Sequence, residues 1–71
     1  MKPLAFREVK RKLEAAGFME AGQTGSHVKF ARTTTAGTRT ATVPEHHEIA
    51  PGTLRSILRQ AGLTADEFAD L

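Results

Sequence analysis

The sequence predicts an α+β domain: a helix, three antiparallel strands, a second helix and a short C-terminal helix. Two segments, residues 4–16 and 51–61, repeat apolar residues at the three- and four-residue spacing of a helix. Between them, residues 26–43 alternate apolar or small residues with polar ones, which is the period of a strand. Each helix has one apolar stripe and the sheet has one apolar face. We therefore expect both helices to pack on that face and to leave the other face open.

The first helix is predicted over residues 4–16. Its apolar stripe consists of Phe6, Val9, Leu13 and Ala16. Lys12 lies off this stripe, and we interpret it as part of a solvated helix face. Gly17 follows at the position where a helix commonly ends in a left-handed residue, so the helix is expected to stop there.

Three strands are predicted between the helices. The first covers residues 18–21, and Gly22-Gln23-Thr24-Gly25 is expected to form the turn after it. The second covers residues 26–32 and the third residues 38–43, with a small, polar turn over residues 33–37 and Pro44 as the end of the sheet. Because side chains alternate along a strand, Val28 and Phe30 are expected on the apolar face, and His27, Lys29 and Ala31 on the open one.

The second helix begins at Pro51, which has no N–H to leave unpaired in the first turn. Its predicted apolar stripe is Leu54, Ile57, Leu58 and Ala61, and Gly62 ends it with Leu63 folding back. Thr64 and Glu67 have the spacing of a capping box, which predicts a last short helix. The four phenylalanines all fall at apolar positions and are predicted to be core residues.

Length and composition suit one small domain over residues 1–71. There is no cysteine, which fits a reducing compartment. No apolar run is long enough to span a bilayer, and the first residues lack the apolar stretch of a signal peptide, so we expect a soluble cytoplasmic protein. Residues 1–40 carry a net charge of +5 and residues 41–71 a net charge of −3. A basic half is typical of a protein that binds a polyanion, and it is equally typical of a solvated surface.

Four elements of the sequence resemble the HicA toxin family. They are Gly17-Phe18, Gly25-Ser26-His27, Val43-Pro44-Glu45-His46 and the block GTLRSILRQAGL at residues 52–63. The resemblance implies a fold similar to a double-stranded-RNA-binding domain, endoribonuclease activity against messenger RNA, and inhibition by a HicB-type antitoxin. It also implies that His27 is catalytic. The chain departs from the usual family pattern at residues 33–39, which leaves RNA contacts at that turn open.

The chemistry of histidine fits such an activity. An imidazole titrates near neutral pH, so it can take a proton from a ribose 2′-hydroxyl or give one to the leaving oxygen. The competing interpretation of His27 is a surface histidine with no function. Besides His27, the residues predicted to contact RNA are Arg7, Lys10, Arg11, Gly25, Ser26, Lys29, Arg32 and His46. Gly25 is expected to permit a close approach, either to RNA or to the preceding strand.

No metal or other cofactor is expected. His46 and His47 are adjacent, and adjacent residues on an extended chain point apart rather than toward one ion. Two rival functions stay open. One is an RNA-binding module without catalysis, and the other is a helix-turn-helix DNA-binding protein built from the two C-terminal helices. We rank the second rival last because its final helix is short and acidic.

Overall fold

The predicted order of elements is confirmed. A computed structural model describes all of residues 1–71, and its helices are α1 (Phe6–Ala15), α2 (Pro51–Ala61) and α3 (Ala65–Ala69). Its strands are β1 (Met19–Thr24), β2 (His27–Thr34) and β3 (Gly37–Pro44). They form one antiparallel sheet in the order β1-β2-β3. The fold is α+β, as the alternation of periods predicts.

The two turns are shorter than predicted. The turn proposed over residues 22–25 is wrong, because Gln23 and Thr24 pair with Val28 and His27 and so belong to β1. Only Gly25 and Ser26 make this turn, and β2 starts at His27 rather than at Ser26. The residues at the end of β1 are of types that favour a turn, but they form a strand because each gains a partner on β2. The pairing of β1 with β2 is irregular only between Glu20 and Gly22, where the register shifts.

The second hairpin is also longer than expected. Thr33 and Thr34 pair with Thr38 and Gly37, so the turn consists of Thr35 and Ala36 alone. The hydroxyl groups of Thr33 and Thr38 lie 3.0 Å apart and form a hydrogen bond. Threonine favours a pleated strand and pairs well with itself across an antiparallel ladder, which extends β2 and β3.

The first helix starts two residues later than predicted. Leu4 forms an isolated bridge with Ile49 instead, through hydrogen bonds of 3.2 Å and 2.7 Å. The backbone N–H of Phe6 then donates to the carbonyl of His46 at 2.9 Å. These bonds join the start of α1 to the segment between β3 and α2. They hold that segment near its beginning, at His46, and near its end, at Ile49. Gly17, with a φ of 95°, follows α1 as predicted.

The core lies between the helices and one face of the sheet. Thirteen apolar residues are buried there, and no polar or charged residue is. Both predicted stripes and the predicted apolar face take part, since the buried set is Val9, Leu13, Phe18, Val28, Phe30, Ala41, Val43, Ile49, Leu54, Ile57, Leu58, Ala61 and Phe68. Phe6 is only half-buried and packs against this set, with its ring 6.3 Å from that of Phe30.

The end of α2 and the start of α3 have the predicted caps. Gly62 is left-handed with a φ of 73°, and the N–H of Leu63 donates to the carbonyl of Leu58 at 3.0 Å. Thr64 and Glu67 form the reciprocal capping box, with hydrogen bonds of 2.8 Å and 3.0 Å. None of the three helices has the length and hydropathy needed to cross a membrane.

Lys12 holds α3 against α1, so its interpretation as part of a solvated face is wrong. Its ammonium donates to the carbonyls of Phe68 at 3.0 Å and Leu71 at 3.2 Å. The same ammonium lies 5.2 Å from the centre of the Phe68 ring. A lysine stem that crosses an apolar surface and ends on carbonyls adds packing as well as hydrogen bonds.

Candidate active site and nucleic-acid interface

His27 is the first residue of β2 and lies between two other strands. It pairs with Thr24 on β1 and with Pro44 on β3. The turn before it is held from the β3 side, because the N–H of Glu45 donates to the carbonyl of Ser26 at 2.7 Å. The His27 side chain is exposed. Its backbone is therefore fixed at the end of the sheet while its imidazole is open to a ligand.

Gly25 is required by backbone geometry. Its φ of 59° lies in the left-handed region, which glycine adopts without the penalty of a side chain. A Cβ built at this position would meet no atom within 4 Å. A close approach to the preceding strand is thus not the reason for glycine here. Ser26 completes the turn and is exposed next to His27.

His27 and Lys29 share the open face of the sheet, as the alternation predicts. Val28 and Phe30 are buried on the opposite face, while His27 and Lys29 are exposed. The register with the neighbouring strands extends this open face across the sheet. We define the open face as Met19, Gly22, Thr24, His27, Lys29, Ala31, Thr33, Thr38, Thr40 and Thr42.

The open face has an unusual charge pattern. None of its residues is acidic, and His27 and Lys29 are its only ionisable side chains. The rest of the face consists of threonines and the small residues Gly22 and Ala31, apart from Met19, whose side chain is largely exposed. A flat surface with one lysine and one histidine and no carboxylate suits an anionic ligand, because nothing on it repels a phosphate.

Arg7 and His46 meet in a cavity near the same end of the sheet. This cavity of about 450 Å³ is lined by Ala5, Phe6, Arg7, Glu45, His46 and His47. The N–H of His46 donates to the carbonyl of Pro44 at 2.9 Å, so the chain turns away directly after the residue that pairs with His27. No group of three or more histidine, aspartate, glutamate or cysteine side chains is arranged to hold a metal ion.

Lys10 and Arg11 are engaged with carboxylates. Lys10 forms an ion pair with Glu20 at 2.9 Å, and this hydrogen bond raises the pKa of Lys10. Arg11 pairs with Glu8 at 2.6 Å, and the hydrogen bond lowers the pKa of the Glu8 carboxyl and raises that of Arg11. Both pairs are exposed, so they add little to stability. These two predicted RNA contacts do not lie on the open face with His27.

Arg32 also lies apart from His27. It has the same parity on β2 as Val28 and Phe30 and therefore projects toward the helices. Its guanidinium donates to the carbonyl of Ala16 at 3.0 Å and lies 5.9 Å from the centre of the Phe18 ring. The predicted RNA contacts thus separate into three places. Gly25, Ser26, His27 and Lys29 are together, Arg7 and His46 share a cavity, and Lys10, Arg11 and Arg32 are on the helix side.

Sequence reasoning missed the pair that supports the His27 turn. The side-chain amide of Gln23 donates to the carbonyl of Gly25 at 3.0 Å and also to the Glu45 carboxylate. Glu45 is thereby bonded to the turn through its backbone and its side chain. Gln23 and Glu45 are 22 residues apart, and only the register of the strands brings them together. No local sequence signal points to this pair.

The fold and the open face define a class of protein: a small α+β domain that presents a histidine and a lysine on the free side of a three-stranded sheet. Residues 6–63 match the family model described as the HicA toxin of bacterial toxin-antitoxin systems. The chain therefore belongs to the HicA toxin family, and its role is that of a toxin. A comparison with curated proteins gives no significant match. The match runs from α1 to just past α2 and includes His27 and Lys29.

Proposed function

We propose that this toxin is a metal-independent endoribonuclease that cleaves messenger RNA in the cytoplasm, with His27 as its catalytic residue. We further propose that a HicB-type antitoxin inhibits it. The observation that carries the proposal is the position of His27, exposed beside Lys29 on a face that has no carboxylate. Family membership supports the toxin role, and histidine is the side chain best suited to move protons at neutral pH.

The reaction proposed is a transesterification within the RNA chain. Neutral His27 accepts the proton of the ribose 2′-hydroxyl as the 2′ oxygen attacks the adjacent phosphorus in line. The bond from phosphorus to the 5′ oxygen breaks, and that oxygen takes a proton from water, while His27 keeps the 2′ proton until it passes it to solvent. The products are a 2′,3′-cyclic phosphate and a 5′-hydroxyl. In the converse role, protonated His27 donates to the leaving 5′ oxygen while water accepts the 2′ proton.

Lys29 is proposed to stabilise the transition state. Negative charge accumulates on the phosphate oxygens as the new bond forms, and a nearby ammonium offsets it. Lys29 lies two residues from His27 on the same face, and Gly22 and Thr42 on the neighbouring strands leave it uncovered. Gly25 and Ser26 are proposed to contact the RNA backbone beside His27, because they form the exposed turn that precedes it.

Arg7 and His46 extend the proposed RNA interface around the end of the sheet. Their shared cavity is lined by Glu45, which follows Pro44, the residue that pairs with His27, and it is proposed to receive a nucleotide next to the cleaved bond. Lys10 and Arg11 remain predictions for RNA contact. An RNA that reaches them has to replace their ion pairs with Glu20 and Glu8.

The test of the nuclease is a comparison of histidine variants. Expression of the wild-type toxin is expected to arrest growth, and the purified protein is expected to cut mRNA in the presence of EDTA and to leave cyclic phosphate ends. His27→Ala and His27→Gln are expected to lose both effects. Arg55→Gln serves as the control, since it changes an exposed side chain that lies outside both the open face and the cavity of Arg7 and His46. Equal cleavage by His27→Ala and wild type would show that His27 is not catalytic.

The rival function is RNA binding without catalysis. It predicts salt-dependent RNA binding by the wild-type chain with no cleavage products and no growth arrest. The same purified protein separates the two functions, because product analysis and binding are measured on one sample. Binding without cleavage, in a sample whose fold is verified by circular dichroism, would replace the nuclease proposal with this rival.

A further inference from the structure

A second pair of cations lies far from His27. Arg32 on β2 and Arg39 on β3 are direct cross-strand partners. Both project toward the helices. Arg32 lies on the same face of β2 as the buried Val28 and Phe30. Arg39 lies on the same face of β3 as the buried Ala41 and Val43. A cleft of about 500 Å³ opens between this end of the hairpin and the end of α2. Its lining is Phe18, Arg32, Thr34, Ala36, Gly37, Thr38, Arg39, Gln60, Ala61 and Gly62.

Both arginines are positioned by the fold but not neutralised by it. Arg32 is held by the Ala16 carbonyl and the Phe18 ring. The Arg39 side chain lies over Gly62, where an added Cβ would be 2.6 Å from its Nε. The two ion pairs of the chain, Lys10–Glu20 and Glu8–Arg11, include neither of them. Among the residues that line the cleft, none is acidic.

One carboxylate lies within electrostatic range and is already engaged. The charge of Arg32 contributes to lowering the pKa of Glu67, but the larger causes are the hydrogen bonds of Glu67 with Thr64 in the capping box. Like charges directly opposite each other on antiparallel strands are destabilising. A guanidinium has five N–H donors, and Arg32 directs one of them to a protein acceptor. The cleft thus presents two adjacent guanidinium groups with most of their donors free.

We propose that this cleft is the docking site for an acidic side chain of the antitoxin, a contact distinct from the RNA face. The proposal rests on the proposed antitoxin partnership. A carboxylate inserted between the two guanidinium groups offsets their mutual repulsion and accepts paired hydrogen bonds from the arginine forks. The ring of Phe18 and the methyl groups of Thr34 and Ala36 provide an apolar wall for the stem of a glutamate or aspartate.

An acidic side chain fits this cleft better than an RNA phosphate does. Arg32 is five residues from His27 along β2, a distance of about 17 Å, and it projects from the opposite face. Cations supply much of the affinity of a protein for RNA, but the residues of β2 between Arg32 and His27 on the helix side, Val28 and Phe30, are apolar and buried.

The proposal makes antitoxin binding and RNA cleavage separable by mutation. The experiment compares the wild-type toxin with Arg39→Gln and Arg39→Glu, and it measures the Kd for the HicB-type antitoxin by calorimetry together with the rate of RNA cleavage. Arg39 is preferred to Arg32 because Arg32 also bonds to Ala16. Arg39→Gln is expected to raise the Kd about 10- to 30-fold, and Arg39→Glu to raise it further. The cleavage rate is expected to stay at the wild-type value.

Arg55→Gln is the matched control. It removes an exposed arginine of α2 that does not line the cleft, and its Kd is expected to stay within about twofold of wild type. Thermal unfolding of each variant verifies that the fold is intact. A short RNA oligonucleotide is titrated in parallel, and Arg39→Gln is expected to bind it as the wild type does.

Three results would overturn the proposal. An unchanged antitoxin Kd in both Arg39 variants shows that no acidic side chain docks there. Weaker RNA binding or slower cleavage by Arg39→Gln, with normal antitoxin affinity, makes the cleft a phosphate site instead. If the wild-type toxin binds no HicB-type protein, the proposed partnership is wrong and the docking proposal fails with it. If the wild-type toxin binds the antitoxin but does not cut RNA, the nuclease proposal is wrong, and the antitoxin Kd values of the variants still test the docking proposal.

Discussion

Lys29 projects from the same face of β2 as His27, two residues further along the strand. Two residues of extended chain place the bases of their side chains about 7 Å apart. The flexible stem of a lysine covers the remaining distance to a phosphate held at the imidazole. The group proposed to transfer the proton, His27, and the group proposed to stabilise charge, Lys29, thus lie on one strand, whose backbone sets the distance between them.

Replacement of Lys29 by glutamine is expected to slow RNA cleavage roughly 10- to 100-fold, since it removes the only cation beside His27 on the open face. Lys29→Arg is expected to keep most of the activity because it keeps the charge. The measurement is single-turnover cleavage of a defined RNA, with Lys2→Gln as the control for loss of one positive charge elsewhere. Equal rates in Lys29→Gln and Lys2→Gln would contradict a specific role for Lys29.

The hydrogen bonds of Gln23 are expected to hold His27 in place. Gln23→Ala removes the bonds to the Gly25 carbonyl and the Glu45 carboxylate, so the turn before His27 loses support on one side. One net hydrogen bond corresponds to about 1 kcal/mol, and cleavage is expected to fall about fivefold. Gln23→Glu is a useful comparison because it places a second carboxylate against Glu45 and is expected to lower cleavage further.

The same experiment separates positioning from binding. A positioning role lowers the single-turnover rate and leaves the Kd for RNA unchanged, because Gln23 projects from the face of β1 opposite to His27 and Thr24. If Gln23→Ala weakens RNA binding and leaves the rate at saturation unchanged, Gln23 contacts RNA and does not position His27.

Periodicity predicted the fold because it reports burial. The stripes of α1 and α2 and the buried face of β2 follow directly from which residues are apolar. The same parity correctly placed His27 and Lys29 on the open face. Errors arose where local residue preference and strand pairing disagree. Gln23 and Thr24 have turn-like neighbours, and yet each gains a cross-strand partner by continuing β1.

The distribution of the cations was not predictable in the same way. Lys10, Arg11 and Arg32 share a basic character with Lys29 in the sequence, but their partners come from other elements of the fold. Lys10 meets Glu20 on β1, and Arg32 meets the carbonyl of Ala16 after α1. A charge pattern says how many cations a segment has. The tertiary structure decides which of them remain free to bind a ligand.

Phe30 is expected to be the most sensitive position of the core among the strands. Its side chain is fully buried at the centre of the sheet, and its ring lies near that of Phe6. Phe30→Ala leaves a cavity and is expected to lower the free energy of unfolding by about 3–5 kcal/mol. The measurement is urea denaturation followed by circular dichroism. Met19→Ala, at an exposed position on β1, is expected to change it by less than about 0.5 kcal/mol.

A protein of this size has limited stability, so Phe30→Ala is expected to be largely unfolded at 37 °C. Phe30→Leu keeps most of the buried volume and provides a folded variant for the same measurement. A free energy of unfolding for Phe30→Leu below that of Phe30→Ala would contradict the assignment of Phe30 to the packed core.

The capping box of α3 is expected to make part of the stability depend on pH. Hydrogen bonds from the backbone N–H of Thr64, and with its side chain, hold the pKa of Glu67 below the ordinary value of 4.5. Because the folded-state pKa is lowered, the stabilising contribution is fully present above the unfolded-state pKa. It is lost as pH falls through the folded-state pKa, so the loss takes place below about 4.5.

Glu67→Gln tests this directly, because the glutamine amide oxygen still accepts the Thr64 N–H and does not titrate. The Tm of the wild-type protein is expected to fall more than that of Glu67→Gln between about pH 6 and about pH 3. Glu8, whose pKa is lowered by Arg11, titrates in both proteins and cancels in the difference. A difference in Tm that stays constant across this range would mean that Glu67 contributes the same stability protonated or ionised, and the capping box would then not be a source of acid sensitivity.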